Sequence, residues 1–308
     1  MRFVILGAGA MGGLFASHVA RTDVEAWVCD RWAEHIAAIR ERGLIVRREG
    51  AESAVRLRAT TDPAAPGVAD VLMVWVKYNQ TREALSAARA LVGPKTVVVT
   101  LQNGLGNVDL IRELFPANRI FYGLTTLTSE LLGPGRIEAS YAGKGDTSLW
   151  ALDGRRDAEL EKVCELFNQG GIDAVLAPDI ELTIWKKLIV NCCLNTLCAI
   201  TGLPVGALAE RKDSWPLLEG LADEIVAVAQ KKGISLERPA AHVFLRSVAH
   251  EARSHFPSML IDVRARCPTE IECLNGAILR EAARLGVDAP YNRSMYSLIR
   301  VIEGSYGA

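Results

Sequence analysis

The chain has 308 residues, half of them hydrophobic, with 35 Lys and Arg set against 36 Asp and Glu. That length suits two domains of ordinary size. The net charge of -1 shows neither the basic excess of a nucleic-acid binder nor the acidic run of a disordered tail.

The opening segment Arg2-Phe3-Val4-Ile5-Leu6 reads as a strand, not as a signal peptide. Met11 to Ala20 then reads as a helix, Val24 to Cys29 as a second strand and Trp32 to Glu41 as a second helix. Leu44 to Ala59 alternates polar and apolar residues, as a hairpin insertion would. Val71 to Val76 and Thr96 to Thr100 are β-branched apolar runs, and Gln80 to Val92 between them has helical periodicity. Such alternation, with strands apolar on both faces, predicts a parallel doubly wound α/β sheet. Gly133 to Ala151 is glycine-rich with short strand-like pieces and is expected to complete that sheet. After Pro178 the pattern is helical to the end, punctuated by Gly202, Pro204, Gly233, Pro239, Pro257, Pro268, Gly286 and Pro290. This predicts an α/β domain over residues 1–177 and an all-α domain over 178–308, closely joined with a cleft between them. No apolar run reaches the roughly 18 residues of a membrane span. The seven cysteines are scattered without a C-x-x-C pair, so neither a disulfide scaffold nor a zinc or other metal site is expected. Reduced thiols in a cytoplasmic protein fit better. The apolar helices after Ser214 suit a core or a homodimer interface equally.

Gly7-Ala8-Gly9-Ala10-Met11-Gly12 is a G-x-G-x-x-G turn between the first strand and first helix. In that setting the first glycine permits a tight turn, the second lets backbone approach a pyrophosphate, and the third allows close helix–strand packing. The helix N-terminus then faces the phosphates. Asp30-Arg31 ends the second strand. An acidic residue there suits the ribose 2′-hydroxyl of NAD and an arginine the 2′-phosphate of NADP, so this rule leaves both cofactors open. Lys77 and Asn103 follow later core strands at their carboxyl ends, where ligands of such sheets bind. A surface lysine and an Asn-Gly turn are the alternatives.

Leu182 to Ile200 is mostly apolar, yet Lys187, Asn191 and Asn195 recur at intervals of four. On an α-helix they share one face. Polar groups persist in apolar surroundings when something hydrogen-bonds them, and a substrate is one such partner. The alternative for Lys187 is a surface lysine lying beside Trp185; Lys186 fits that reading better.

Several motifs in order resemble one family over nearly the whole chain: the glycine turn, Val76-Lys77-x-x-Gln80, Gln102-Asn103-Gly104, Trp185-x-Lys187-Leu188-x-x-Asn191 with Asn195, Ser258-Met259-Leu260-x-Asp262, Thr269-Glu270-Ile271 and Asn275-Gly276. The chain resembles the ketopantoate reductases, or 2-dehydropantoate 2-reductases. The resemblance implies a Rossmann domain, a helical domain, and NADPH-dependent reduction of 2-dehydropantoate to D-pantoate, on the way to pantothenate and coenzyme A. It implies Lys187 as general acid, Glu270 as a carboxylate positioning substrate and ribose, and Asn191, Asn195 and Ser258 as substrate-binding. It implies Asn103 and Lys77 at the nicotinamide and adenosine ends of the cofactor. The residue types suit the chemistry, since negative charge develops on a keto oxygen and an ammonium both stabilises and protonates it. A lysine at its ordinary pKa of about 10.4 is already protonated for this task.

Three departures bear on specificity. His255 stands where family members often carry an Asn three positions before the Ser of S-M-L. Thr201-Gly202-Leu203-Pro204-Val205 lacks an Asn of the loop after the catalytic helix, and Asp30 precedes Arg31. Sites built on hydrogen bonds discriminate strongly through such groups. A related 2-oxo acid reduced with NADPH or NADH is therefore a second reading. A β-hydroxyacid dehydrogenase and a nucleotide-sensing protein without catalysis are further rivals, which Ser258, Glu270 and Lys187 disfavour.

Overall fold

The structure is a computed structural model and describes residues 1–141 and 146–307. The chain divides into two compact units, one of Met1–Gln102 and Asn107–Ile180, the other of Asn103–Gly106 and residues from Glu181 onward. The single cut expected between Ala177 and Pro178 differs on two counts. The second unit begins at Glu181, and it takes in the short loop Asn103–Gly106.

The first unit runs β1 (Arg2–Leu6), α1 (Ala10–Val19), β2 (Glu25–Cys29), α2 (Ala33–Arg42), β3 (Leu44–Arg48), β4 (Ala51–Val55), β5 (Arg58–Thr60), β6 (Val71–Val74), α3 (Tyr78–Ala87), β7 (Val97–Thr100), α4 (Asn107–Leu114), β8 (Ile120–Thr125), β9 (Ser129–Gly133), β10 (Arg136–Ala139), β11 (Asp146–Ala151), α5 (Ala158–Gln169) and β12 (Asp173–Leu176). Among the described residues the main sheet has the order β12-β11-β8-β7-β6-β1-β2-β5. Every pairing in it is parallel except β8 with β11. From β5 to β8 this is the Rossmann order, and the order in which strands are added reverses between β1 and β6, which run parallel; such a switch point is where ligands of these sheets bind.

Period-two alternation explains why both faces are buried. Phe3 and Ile5 enter a core with Phe15, Phe121 and Phe167, while Val4 and Leu6 enter another with Leu72, Val74 and Leu85. The stretch Gly133 to Ala151 does not simply complete this sheet. Its residues 142–145 lie outside the described residues, and only β11 joins the main sheet. β9 and β10 pair with the β3–β4 hairpin in a second sheet ordered β4-β3-β10-β9. The cause is burial: Leu44, Val46, Ile137 and Ala139 enter the same core as α1, whose residues from Gly12 to Val19 are all buried.

The second unit contains α6 (Ile180–Val190), a π-helical turn Asn191–Asn195, α7 (Thr196–Thr201), α8 (Val205–Ala209), α9 (Ser214–Lys231), α10 (Arg238–Glu251), α11 (Ser258–Arg264), α12 (Asn275–Leu285) and α13 (Pro290–Gly304). Leu218, Leu221, Ile225, Leu245, Ile278 and Ile299 are fully buried and form its interior. Gly202 and Gly286 end α7 and α12 in the left-handed region, at φ 73° and 66°. The unbroken α-helix expected through Lys187, Asn191 and Asn195 is instead interrupted by the π-turn. Among the described residues no helix is long and apolar enough to cross a membrane. Burial pushes the Cys29 thiol up to about 11 and that of Cys198 up to about 12, and raises Cys192, Cys193 and Cys273 as well. These are protonated, unreactive sulfurs.

Phe167 sits edge-on to Phe3 and Phe15, with ring centroids 6.2 and 5.6 Å away, and is fully buried. Phe167→Ala is expected to cost about 3–5 kcal/mol. Urea unfolding of the first unit measures it as a lower midpoint at unchanged slope; an unmoved midpoint would refute this packing account.

Candidate active site

The turn after β1 is shaped by three different steric demands. Gly7 has φ 97°, and a Cβ there would stand 2.9 Å from the backbone of Trp75 and Val76. A Cβ on Gly12 would stand 1.8 Å from the Gly7 carbonyl oxygen, so only glycine lets α1 approach β1. Around Gly9 an added Cβ meets nothing within 4 Å. Gly9 is the N-cap of α1 and has no side chain to cap it, so the first N–H groups of the helix receive no side-chain acceptor from the cap, and the first intrahelical bond runs from the Gly13 N–H to the Gly9 carbonyl at 2.7 Å. That open face fits a pyrophosphate.

Two side chains hold the turn from below. Asp30 accepts the Ala8 N–H at 2.7 Å with one carboxylate oxygen and the Trp32 N–H at 2.9 Å with the other. His35 lies 2.9 Å from the Ala8 carbonyl through Nε2, so Nε2 carries the proton and donates. Its Nδ1 accepts the Gly135 N–H at 3.0 Å. Burial holds His35 below its ordinary value, consistent with this neutral tautomer.

Beside the turn is a cavity of about 220 Å³ lined by Gly7, Asp30, Arg31, Thr61, Pro63, Val76, Gln80 and Glu83. Its apolar walls and acidic and basic rim suit the adenosine end of a dinucleotide. Arg31 is exposed on that rim and lies 3.6 Å from Glu83. Lys77 is half-buried at the N-cap of α3, where its carbonyl accepts the Gln80 N–H at 2.8 Å. Gln102 ties the ends of β6 and β7 together, donating to the Val76 carbonyl and, at 3.1 Å, to the Thr81 hydroxyl.

The second unit assembles a separate group of polar side chains. Lys187, on α6, donates to the Asn103 side-chain amide oxygen, Oδ1, at 2.8 Å. The Asn103 amide nitrogen faces Glu270 at 3.5 Å. Asn103 therefore links the ammonium to the carboxylate. Its loop is held by close approach to the turn that carries Glu270: the Leu105 N–H donates to the Cys273 carbonyl at 2.8 Å. Gly104, at φ 78°, would put a Cβ 2.3 Å from that same carbonyl oxygen. Here glycine is required by the contact as well as by the turn. Thr269 anchors the other side of Glu270, donating from its backbone and its hydroxyl to Glu303, both at 2.7 Å.

Lys187 is half-buried whereas Lys186 is exposed. Burial lowers the Lys187 pKa to about 8, against the opposing pull of Glu270. The ordinary value expected from sequence is thus corrected downward, because the ammonium loses water. Asn195, buried, donates to Asn191 at 3.2 Å across the π-turn. Ser258 opens α11 with an exposed side chain and makes no hydrogen bond to these groups among the described residues. Two of the three departures noted in the sequence adjoin one another: the Val205 N–H donates to the His255 carbonyl at 3.2 Å. Sequence reasoning gives no role to His35, which supports the nucleotide turn, or to Gln102, which ties the ends of β6 and β7. His35 carried no spacing signal, whereas Gln102 stood inside the Gln102-Asn103-Gly104 motif.

Residues 3–154 match the family model described as ketopantoate reductase PanE/ApbA, and residues 179–303 match ketopantoate reductase PanE/ApbA C terminal. The chain is similar to the 2-dehydropantoate 2-reductase of Streptococcus pyogenes serotype M3, 31% identical over 98% of both chains. It is 32% identical to the enzyme of that name from Halobacterium salinarum, covering 98% of this chain and 99% of the other. It is also similar in structure to a D-mandelate dehydrogenase solved with NADH and anilino(oxo)acetate, with TM-score 0.93, 28% identity and full coverage of both chains.

Asp30 anchors backbone with both oxygens, so Asp30→Ala is expected to weaken NADH and NADPH alike, by about tenfold each. Fluorescence titration with the two cofactors measures this. A loss confined to NADH would show that Asp30 acts only on the ribose hydroxyl.

Proposed function

The chain belongs to the ketopantoate reductase family and is an NAD(P)H-dependent oxidoreductase, and from that premise we propose that it reduces 2-dehydropantoate to D-pantoate with NADPH. The observation that carries this reading is the Lys187–Asn103 hydrogen bond at 2.8 Å, which aims a partly desolvated ammonium beside Glu270. When bound, a reduced nicotinamide would supply the hydride. As the keto carbon is reduced, charge gathers on its oxygen, and the Lys187 ammonium stabilises that charge and gives up a proton to it. A pKa of about 8 keeps Lys187 mostly protonated at neutral pH yet makes it a stronger acid than an exposed lysine. Asn103 holds the ammonium in place, and Glu270 favours its charged form. Asn191, Asn195 and Ser258 offer amides and a hydroxyl to the substrate's carboxylate and hydroxyl without adding net charge.

The reading of NADPH rests on Asp30 and Arg31 together. Both Asp30 oxygens already receive backbone donors, while Arg31 brings an exposed guanidinium to the rim of the adenosine cavity. A second reading, reduction of a related 2-oxo acid with NADH, draws support from the structural likeness to the D-mandelate dehydrogenase complex. His255 and Val205 are where such a change of substrate would be expressed.

Assaying a panel of 2-oxo acids with each cofactor separates the two; faster turnover of another 2-oxo acid than of 2-dehydropantoate would reject the first. Lys187→Ala is expected to lower kcat by about 10²–10⁴-fold with cofactor affinity unchanged. For the wild type, kcat/KM should be level at neutral pH and fall about tenfold per pH unit above about 8, as the free enzyme loses the Lys187 proton. A profile that stays level past pH 10, about the ordinary lysine range, would remove Lys187 as the acid.

A further inference from the structure

The π-turn is clamped from outside by one fully buried side chain. Asn275, the first residue of α12, has no exposed surface. Its amide nitrogen donates to the Cys192 carbonyl, inside the turn, at 3.2 Å. Its amide oxygen accepts from the Thr196 hydroxyl, the first residue beyond the turn, at 2.9 Å. The same nitrogen donates to the Asn292 amide oxygen at 3.0 Å. Asn292 in turn donates to the Glu224 carboxylate at 2.8 Å, which also accepts the backbone N–H groups of Tyr291 and Asn292 at 2.7 and 2.9 Å.

The direction of this chain is forced. Glu224 and the Cys192 carbonyl only accept, so Asn292 turns its nitrogen to Glu224 and its oxygen to Asn275. Asn275 then turns its nitrogen to Asn292 and Cys192, and its remaining oxygen needs a donor, which Thr196 supplies. Every polar group is used once its orientation is set, so no alternative arrangement of the amides satisfies the site.

We propose that Asn275 is a positioning residue for the keto acid, acting by holding the π-turn that presents Asn191 and Asn195. Relaxation of a π-turn to α-helix changes the register by one residue, which swings side chains on one side of it by about 100° relative to those on the other. Lys187 precedes the turn and Asn195 closes it, so the clamp sets how the proton donor and the amides face one substrate. A side-chain amide inserted against a helix carbonyl is the kind of contact that keeps such an irregular turn from annealing. This inference rests on the reading of Asn191 and Asn195 as substrate-binding residues.

The test compares Asn275→Ala, Thr196→Val and Thr196→Ser with the wild type. Thr196→Val removes one hydroxyl at constant shape and stays available where Asn275→Ala does not fold. Hydrogen exchange of the amides of residues 192–197 is expected to rise about tenfold in Asn275→Ala and Thr196→Val, and to stay at the wild-type rate in Thr196→Ser. KM for the 2-oxo acid is expected to rise about tenfold in the first two, with KM for the nicotinamide cofactor unchanged. A purely structural role would lower the active fraction, and so kcat, at constant KM; that result overturns the proposal. Unchanged exchange at the turn in a folded variant overturns it as well. Absence of turnover by the wild type with every 2-oxo acid would instead reject the functional reading, and the exchange rates would still decide whether Asn275 holds the turn.

Discussion

An ammonium taken out of water must be given an acceptor, and the Lys187–Asn103 hydrogen bond meets that need. The second unit's polar architecture follows from it. Asn103 can accept from Lys187 only while its loop lies against the turn of Glu270 and Cys273, and that proximity demands glycine at position 104. Glu270 is in turn steadied by its neighbour Thr269, tied twice to Glu303. Burial without these partners would drive the lysine neutral. With them its pKa settles near 8, low enough for ready proton transfer and high enough to keep the charge at neutral pH.

The first unit solves a complementary problem. An anion-binding turn has to leave backbone N–H groups unsatisfied, which weakens the fold locally. Here the N–H of Ala8 is given to Asp30 and its carbonyl to His35, so the turn is rigid beneath while the face above Gly9 stays open. Asp30 thereby acquires a structural duty that its position alone does not reveal. A carboxylate at the end of the second strand is ordinarily read as a vote for NAD. Here each oxygen anchors one backbone N–H and keeps a further acceptor site, so the carboxylate has a reason to be present besides any cofactor contact.

Much of this was legible in sequence because it depends on local pattern. Strands buried on both faces write continuous apolar runs, and β1, β6 and β7 follow from them. Gly7, Gly9 and Gly12 carry their demands in their spacing. Contacts between distant segments left no such trace. The second sheet forms because Ile137 and Ala139 find α1, and nothing in a glycine-rich stretch foretells that partner. The loop Asn103–Gly106 goes with the second unit because of Cys273, which Asn-Gly alone cannot announce. Spacing sets Lys187 on one face with Asn191 and Asn195, and the motif prefers it over Lys186 as the proton donor. The lowered pKa of Lys187 required knowing what surrounds it.

The π-turn is the most instructive of these omissions. No residue in Asn191-Cys192-Cys193-Leu194-Asn195 requires it, and a spacing of four suggested an ordinary helix. The sequence reason lies elsewhere, in Asn275 and Asn292, two asparagines that would be poor choices for a buried helical interface by propensity or hydrophobicity. Their burial makes sense as a relay that begins at the Glu224 carboxylate and ends on the Cys192 carbonyl. A buried polar chain with one allowed direction adds little net stability but penalises any shift in register, because each member would lose its partner at once. Specificity of register is what a turn carrying two amides needs, and apolar packing alone would tolerate the slip.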